Sequence, residues 1–378
     1  MSTKTKQTAD SALSNSFAFK SNRVEKMSKH KPVDIQPIIG RDWILNGDNN
    51  ENFKRYISAY NDSPTNASII NGLVNYIFGE GLSNLRGSNI EKYISQEDVQ
   101  LMIKDLCIHG GFSYQVIWSE AEIPLKIKYI EIANLGVRYE MEEYNDVVGY
   151  WYSYDWKNRM RYPAEFYPKF TGDYNGNGLE IGYFRLPTAE PFFPLPEYFS
   201  GLQWAEVEGE QANAAINHFK NAMSDITVIN YNGGRIADPK AAKKEADKRR
   251  EQVVGTDNQS AVIISFNDTA EEATVVDRIS PPELNQQNVF YSEEAEKKLF
   301  QAHSVPPILF AGTNVGNGFS SNADEREVAI KELYRRKVNP YRNTILRALN
   351  LAFSLIDATI KLDFEDFESE TLDTQEND

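Results

Sequence analysis

Apolar residues recur at helical spacing early in the chain. Ile69, Ile70, Leu73, Val74, Ile77 and Phe78 follow Ser63-Pro64-Thr65-Asn66, and Gly79 and Gly81 end the pattern, which predicts a helix with one buried face within 52–81. Ser95-Gln96-Glu97-Asp98 has the form of a capping box, and Val99, Met102, Ile103, Leu106 and Cys107 form the stripe of a second helix that His109-Gly110-Gly111 stops. From Phe112 to about Tyr183 the period falls to 2. Tyr114, Val116 and Trp118 alternate, then Leu125, Ile127 and Tyr129, then the stretches 147–154 and 162–170, which together predict an antiparallel sheet. Tyr174-Asn175-Gly176-Asn177-Gly178 supplies a turn signal within it.

A proline-rich run from Leu186 to Pro196 precedes a long predicted helix over 202–226. Ala212, Ala215, Ile216, Phe219, Met223 and Ile226 keep near-heptad spacing on it, and its small residues let a neighbour approach closely. At ~1.5 Å per residue such a helix is roughly 37 Å long, the dimension of a strut. After Asn232-Gly233-Gly234 comes a short module: a charged helix from Asp238-Pro239 to about Val253, a strand at 261–266 and another at 273–279. Ser280-Pro281-Pro282 leads into an amphipathic segment ending at His303, the break Ser304-Val305-Pro306-Pro307-Ile308-Leu309-Phe310, a loop from Gly312 to Asn322, and a last long helical stretch. That loop has no acid, base, thiol or metal ligand, but its Gly, Asn and Ser content suits a mobile backbone between two stiff elements. Passage of something past it fits better than chemistry on it.

Composition narrows the class. A chain of 378 residues, 41% hydrophobic and 12% aromatic, has ample material for folded cores. The single cysteine, Cys107, excludes an intramolecular disulfide framework and fits a reducing cytoplasm. No apolar run approaches the ~20 residues of a membrane span, so a soluble protein is expected. The formal charge of −15 is unevenly spread. Residues 1–33 hold seven Lys and Arg against Asp10 and Glu25, which reads as a basic, disordered arm, whereas the acids from Asp363 to Asp378 have no base among them and read as a solvated tail. An acidic chain grips DNA weakly, since phosphate neutralisation by clustered cations supplies most non-specific affinity.

Catalytic groups are hard to assemble from these residues. His30, His109, His218 and His303 lie far apart and form no ligand motif. Asp363, Glu365, Asp366 and Glu368 are the best candidates for a Mg²⁺ site of the nuclease kind, a reading outweighed by that of a charged tail. Gly312 to Gly318 lacks the Lys of a phosphate-cradling loop. Lys240, Lys243, Lys244, Lys248, Arg249 and Arg250 make a basic helix interleaved with Glu245, Asp247 and Glu251, either a solvated face or a docking surface. No cofactor, no metal and no enzymatic activity are expected.

The order of these parts resembles bacteriophage portal proteins of the kind that accompany HK97-like capsids. The pieces that carry the resemblance are Phe193-Pro194-Leu195-Pro196-Glu197-Tyr198, the long helix ending in Asn232-Gly233-Gly234, the small module, the Val305-Pro306-Pro307 break, the Gly/Asn/Ser loop, and Asn339-Pro340-Tyr341 before the last helix, over roughly residues 50–360. The resemblance implies an α+β portal-type fold assembled as a ring, a dodecamer. Its parts would be an arm (1–45), a β-rich wing (46–200), a stem helix (201–229), a clip (230–282), a second stem helix (283–310), a tunnel loop (311–323), a helical wing with a short crown (324–362) and an acidic tail (363–378). Stem packing falls on Ala212, Ala215, Ile216, Phe219 and Met223, motor docking on Lys243, Lys244, Lys248 and Arg249, and the tunnel on Asn314, Val315, Gly316, Asn317, Gly318, Phe319, Ser320 and Ser321. Implied partners are further copies of the chain, a terminase large subunit as separate motor, the major capsid protein, a head-tail adaptor, and double-stranded DNA that is packaged and later ejected at one capsid vertex of a virion assembled in the bacterial cytoplasm. An oligomeric connector without DNA passage is the alternative.

Overall fold

The computed structural model describes residues 42–84, 89–140, 146–222, 227–231, 236, 238–253, 262–266, 269, 284–310 and 323–366. Two helices open it, α1 (Glu51–Asp62) and α2 (Pro64–Phe78), and Ser63 is the reason there are two. Ser63 is extended, its Oγ accepts from Asn66 N at 3.1 Å, and Pro64 occupies the first turn, where a missing N–H costs no helical bond. Gly79 ends α2, and the short strand β1 (Gly81–Asn84) follows. The third helix, α3 (Gln96–His109), is capped by Ser95, whose Oγ accepts from Asp98 N. It ends at Gly110, whose φ of +76° is left-handed and whose Hα side faces the Leu195 carbonyl so closely that a Cβ would lie 2.3 Å from that oxygen.

The period-2 region forms two three-stranded antiparallel sheets rather than the single sheet expected. In the first, β2 (Gly111–Trp118) lies between β3 (Pro124–Ile130) and β7 (Leu179–Arg185); in the second, β5 (Asp146–Tyr152) lies between β4 (Leu135–Glu140) and β6 (Glu165–Pro168). Alternation fixes which face a side chain takes but not which strand it pairs with, so the partition was not readable in advance. Leu125 illustrates the same limit. Ile117 pairs with Lys126 and Trp118 with Pro124, which leaves Leu125 as the extra residue of a bulge, 56% exposed, although it continues the alternation of Ile127 and Tyr129.

The chain then enters α4 (Leu202–Ala222), β8 (Thr227–Tyr231), α5 (Pro239–Val253), β9 (Val262–Phe266), α6 (Leu284–His303) and the single turn α7 (Pro307–Phe310). Helix α8 (Ala323–Leu333) continues through a π-helical stretch, Tyr334–Val338, into α9 (Asn339–Ile356), and β10 (Leu362–Glu365) closes the described chain. The expectation of a solvated tail from Asp363 onward is corrected in its first residues: β10 pairs antiparallel with β1, Leu362 and Phe364 are buried, and Asp363 and Glu365 point outward. Two apolar residues alternating with acids are a strand signal that a run of like charge hides.

The described residues divide into two compact units at 211/212 and 285/286. In the larger one, α1, α2, α3 and α9 share a core with the first sheet. Tyr114 on β2 is fully buried, stacks on Phe184 and donates its hydroxyl to Ala348 O of α9 at 2.7 Å. In the smaller one, β8 and β9 pair in parallel through the α5 crossover, with Tyr231 and Phe266 stacked at 5.7 Å.

Candidate assembly and channel surfaces

Helix α4 is anchored in its first half. Leu202 and Ala205 are buried, Glu206 pairs with Arg55, and Glu208 accepts from Thr65 Oγ1 at 2.7 Å and from Ser63 Oγ at the N-terminus of α2, where negative charge is favoured. Beyond the unit division, Ala212, Ala215 and Ile216 are exposed, Ile216 by 51%. These are the stem positions singled out in sequence. The side chain of Phe219 and all of Met223 lie outside the described residues.

Helix α6 has the opposite polarity. Its last turns bury Ala295, Leu299, Phe300 and His303, whereas Val289, Phe290 and Tyr291 are 57%, 58% and 47% exposed. A run of three large apolar side chains in water is costly unless something covers it.

At the end of α6 the chain turns through a packed elbow. His303 Nε2 meets Asn66 Oδ1 at 2.7 Å and its ring stacks on Tyr198 at 4.6 Å. Burial lowers its pKa to about 3, so it is a neutral structural imidazole. Ser304 takes a φ of +54°, Val305 is buried, and Phe310 of α7 packs on Tyr76. A cleft of about 940 Å³ beside the elbow is lined by Phe300, Val305, Pro306, Pro307, Leu333 and Arg336. On the far side of the loop, Lys337 in the π-helical stretch reaches Glu197 Oε2 at 2.5 Å, and Tyr341 donates to the same oxygen at 3.0 Å. Asn314, Val315, Gly316, Asn317, Gly318, Phe319, Ser320 and Ser321, the positions expected to form a tunnel loop, lie outside the described residues, between α7 and α8.

On α5, Asp238 receives Lys240 N at 3.1 Å and starts the helix; Lys243 and Lys244 are exposed, and the side chains of Lys248 and Arg249 lie outside the described residues. His109 is buried 3.9 Å from Asp105, in ring contact with Phe53 and Tyr56. Among the described residues no group of three His, Cys, Asp or Glu is placed to hold a metal ion. Asp366, a candidate ligand in sequence, is instead held by Arg342 at 2.6 Å. No described helix is long and apolar enough to cross a membrane.

Sequence reasoning missed Arg342 and Lys337. Arg342 donates to the carbonyls of Ile77 and Tyr76 at the open end of α2 and lies over the rings of Tyr334 and Phe364. Nothing in its local sequence marks it, because Tyr76, Ile77, Phe364 and Asp366 are remote in sequence.

No protein-family model matches the chain, and no curated protein matches it. Solved structures do. A chain of the virion of a native gene transfer agent particle aligns with a TM-score of 0.56 at 14% identity, covering 88% of this chain and 87% of that one. A chain of the neck of a native gene transfer agent particle, computed with C12 symmetry, aligns with a TM-score of 0.52 at 16% identity over 86% of each chain. The crystal structure of an HK97 family phage portal protein from Corynebacterium diphtheriae aligns more loosely, with a TM-score of 0.47 at 13% identity, covering 82% of this chain and 95% of that one. The protein has a mixed α+β fold similar to those of the two gene-transfer-agent chains.

Proposed function

We propose that the chain is a portal subunit of a phage or gene-transfer-agent particle, assembled as a ring of twelve around a channel for double-stranded DNA. The observation that carries this reading is the alignment over 86% of both chains with a neck component of C12 symmetry. The anchored-then-exposed polarity of α4 and the exposed apolar end of α6 support it, since a closed ring buries one surface of each copy on another.

In this reading the second half of α4 and the first half of α6 form the stem, and the β8–α5–β9 module forms the clip. Lys243 and Lys244 there face a terminase motor. The loop 311–322 is the tunnel loop, where neutrality avoids trapping phosphates and the glycines permit alternate backbone states. The major capsid protein and a head-tail adaptor are the further partners in this reading. The role is structural, and the force comes from a separate ATPase.

Electron microscopy of the purified chain tests this directly. Rings with an opening wide enough for duplex DNA are expected; a monomer at every salt and protein concentration overturns the reading. Closed rings too narrow for a duplex would favour the connector alternative. Shortening the loop from Asn314 to Phe319 is expected to spare the ring and impair DNA packaging or retention, and normal full heads from that variant would remove the tunnel assignment.

A further inference from the structure

The turn between β5 and β6 carries a surface that none of the roles above uses. Asp155 organises it: one carboxylate oxygen accepts from Lys157 N at 2.9 Å and the other from Asn158 Nδ2 at 2.6 Å. Trp156 is buried beneath and donates its indole N–H to Asn134 O. Trp43 lies against both Trp156 and Trp151, with ring centroids at 5.7 and 5.5 Å. On this aromatic floor the Arg159 guanidinium sits 5.2 Å over Trp43, and the Arg161 guanidinium 5.4 Å over Tyr162, which in turn meets Tyr154 at 5.3 Å. Tyr154 is 68% exposed and Met160 is fully exposed.

Two features make this more than a decorated turn. Lys157, Arg159 and Arg161 have no ion pair among the described residues, in a chain of charge −15, while the one acid of the turn is engaged by the turn's own backbone and Asn158. A guanidinium stacked on a ring also keeps its N–H edge free and pre-aimed for a carboxylate. The surface therefore combines three cations with exposed Tyr and Met, the mixture of protein-binding patches rather than of a phosphate-tracking groove.

We infer that this surface docks the acidic C-terminal segment of the chain, residues 367–378, from the same or a neighbouring copy. That segment holds Glu368, Glu370, Asp373, Glu376 and Asp378 with no base, and sets Phe367 and Leu372 among them, so it complements both the charge and the apolar character of the turn. It starts where Arg342 fixes Asp366, and its twelve residues reach about 40 Å when extended. The docking is ionic in its selection and apolar in its seat, so it weakens as salt rises.

The test uses the full chain with its tail neutralised by E368Q, E370Q, D373N, E376Q and D378N, and a fluorescent peptide of residues 367–378 followed by anisotropy. Saturable binding is expected. On the wild-type chain it should be about tenfold weaker, because the intact tail competes at high effective concentration. Adding R159E and R161E to the neutralised chain should abolish it; R159Q and R161Q, a milder pair, should weaken it with the circular dichroism spectrum unchanged. No binding at low salt, equal binding by wild-type and neutralised chains, or binding indifferent to both arginine pairs would each overturn the assignment. So would displacement by a short DNA duplex at lower concentration than by unlabelled peptide, which would hand the surface to nucleic acid.

Discussion

The larger unit (described residues of 42–211 and 286–366) and the smaller one (described residues of 212–285) are built on different terms. The larger seals aromatic and aliphatic side chains on its own: Phe53, Tyr56, Tyr114, Phe112, Phe193 and Phe353 are all less than 2% exposed. In the smaller, Ala242 is the one buried apolar residue among those whose side chains are described, and the strands described there are the parallel pair β8 and β9, the predicted strand 273–279 lying outside the described residues. Parallel strands are ordinarily covered on both faces and extended at both edges. The larger unit has an extensive core of its own, and in the ring proposed above neighbouring copies lie against the smaller one.

The largest effect is expected from hollowing out the larger unit. Phe53 meets the rings of Tyr56, His109 and Phe193, so Phe53→Ala should cost about 3–5 kcal/mol and lower the thermal midpoint strongly. A shift of a degree or two would mean that this core is not the source of stability.

Arg342→Met should come next, at about 3 kcal/mol, because it leaves the Tyr76 and Ile77 carbonyls at the end of α2 without their donor and unties Asp366. Chemical denaturation measures it, and hydrogen exchange should show β1 and β10 opening first.

The pH dependence is smaller per step. Burial raises the Asp105 pKa to about 7 and lowers those of His109 and His303 to about 3. Each histidine binds a proton only when unfolded between about pH 6 and 4, so stability is lost as pH falls there. Asp105 binds its proton only when folded, so its contribution rises as pH falls. Two losses against one gain leave a net fall of about 1.4 kcal/mol per pH unit, and Asp105→Asn should double that slope. An unchanged slope would show that Asp105 does not titrate in this window.

The smallest effects belong to the smaller unit. Ile216→Ala should move single-chain stability by no more than about 0.5 kcal/mol yet reduce ring formation in sedimentation measurements. Lys243→Glu with Lys244→Glu should leave the thermal midpoint and the ring unchanged and weaken association with the motor; unaltered association would move docking off α5.

Local pattern sufficed wherever an element answers to its own sequence. The Ser63-Pro64 start, the Ser95 cap, the stop at Gly110 and the charged α5 are all short-range chemistry, and each stands where the residues put it. The candidate surfaces were legible only as spacing: Ala212, Ala215 and Ile216 of the α4 stripe are exposed, whereas the glycine-rich loop lies outside the described residues between α7 and α8. What the tertiary structure alone decided are the long-range pairings: two sheets in place of one, β10 beside β1 inside an acidic run, Arg342 across to α2, His303 turned inward onto Asn66 and Tyr198, and Arg159 laid on Trp43. Each depends on which remote residue supplies a carbonyl, a strand edge or a ring face. Periodicity reports the direction a side chain takes from its own backbone, and the partner waiting in that direction exists only once the chain has folded.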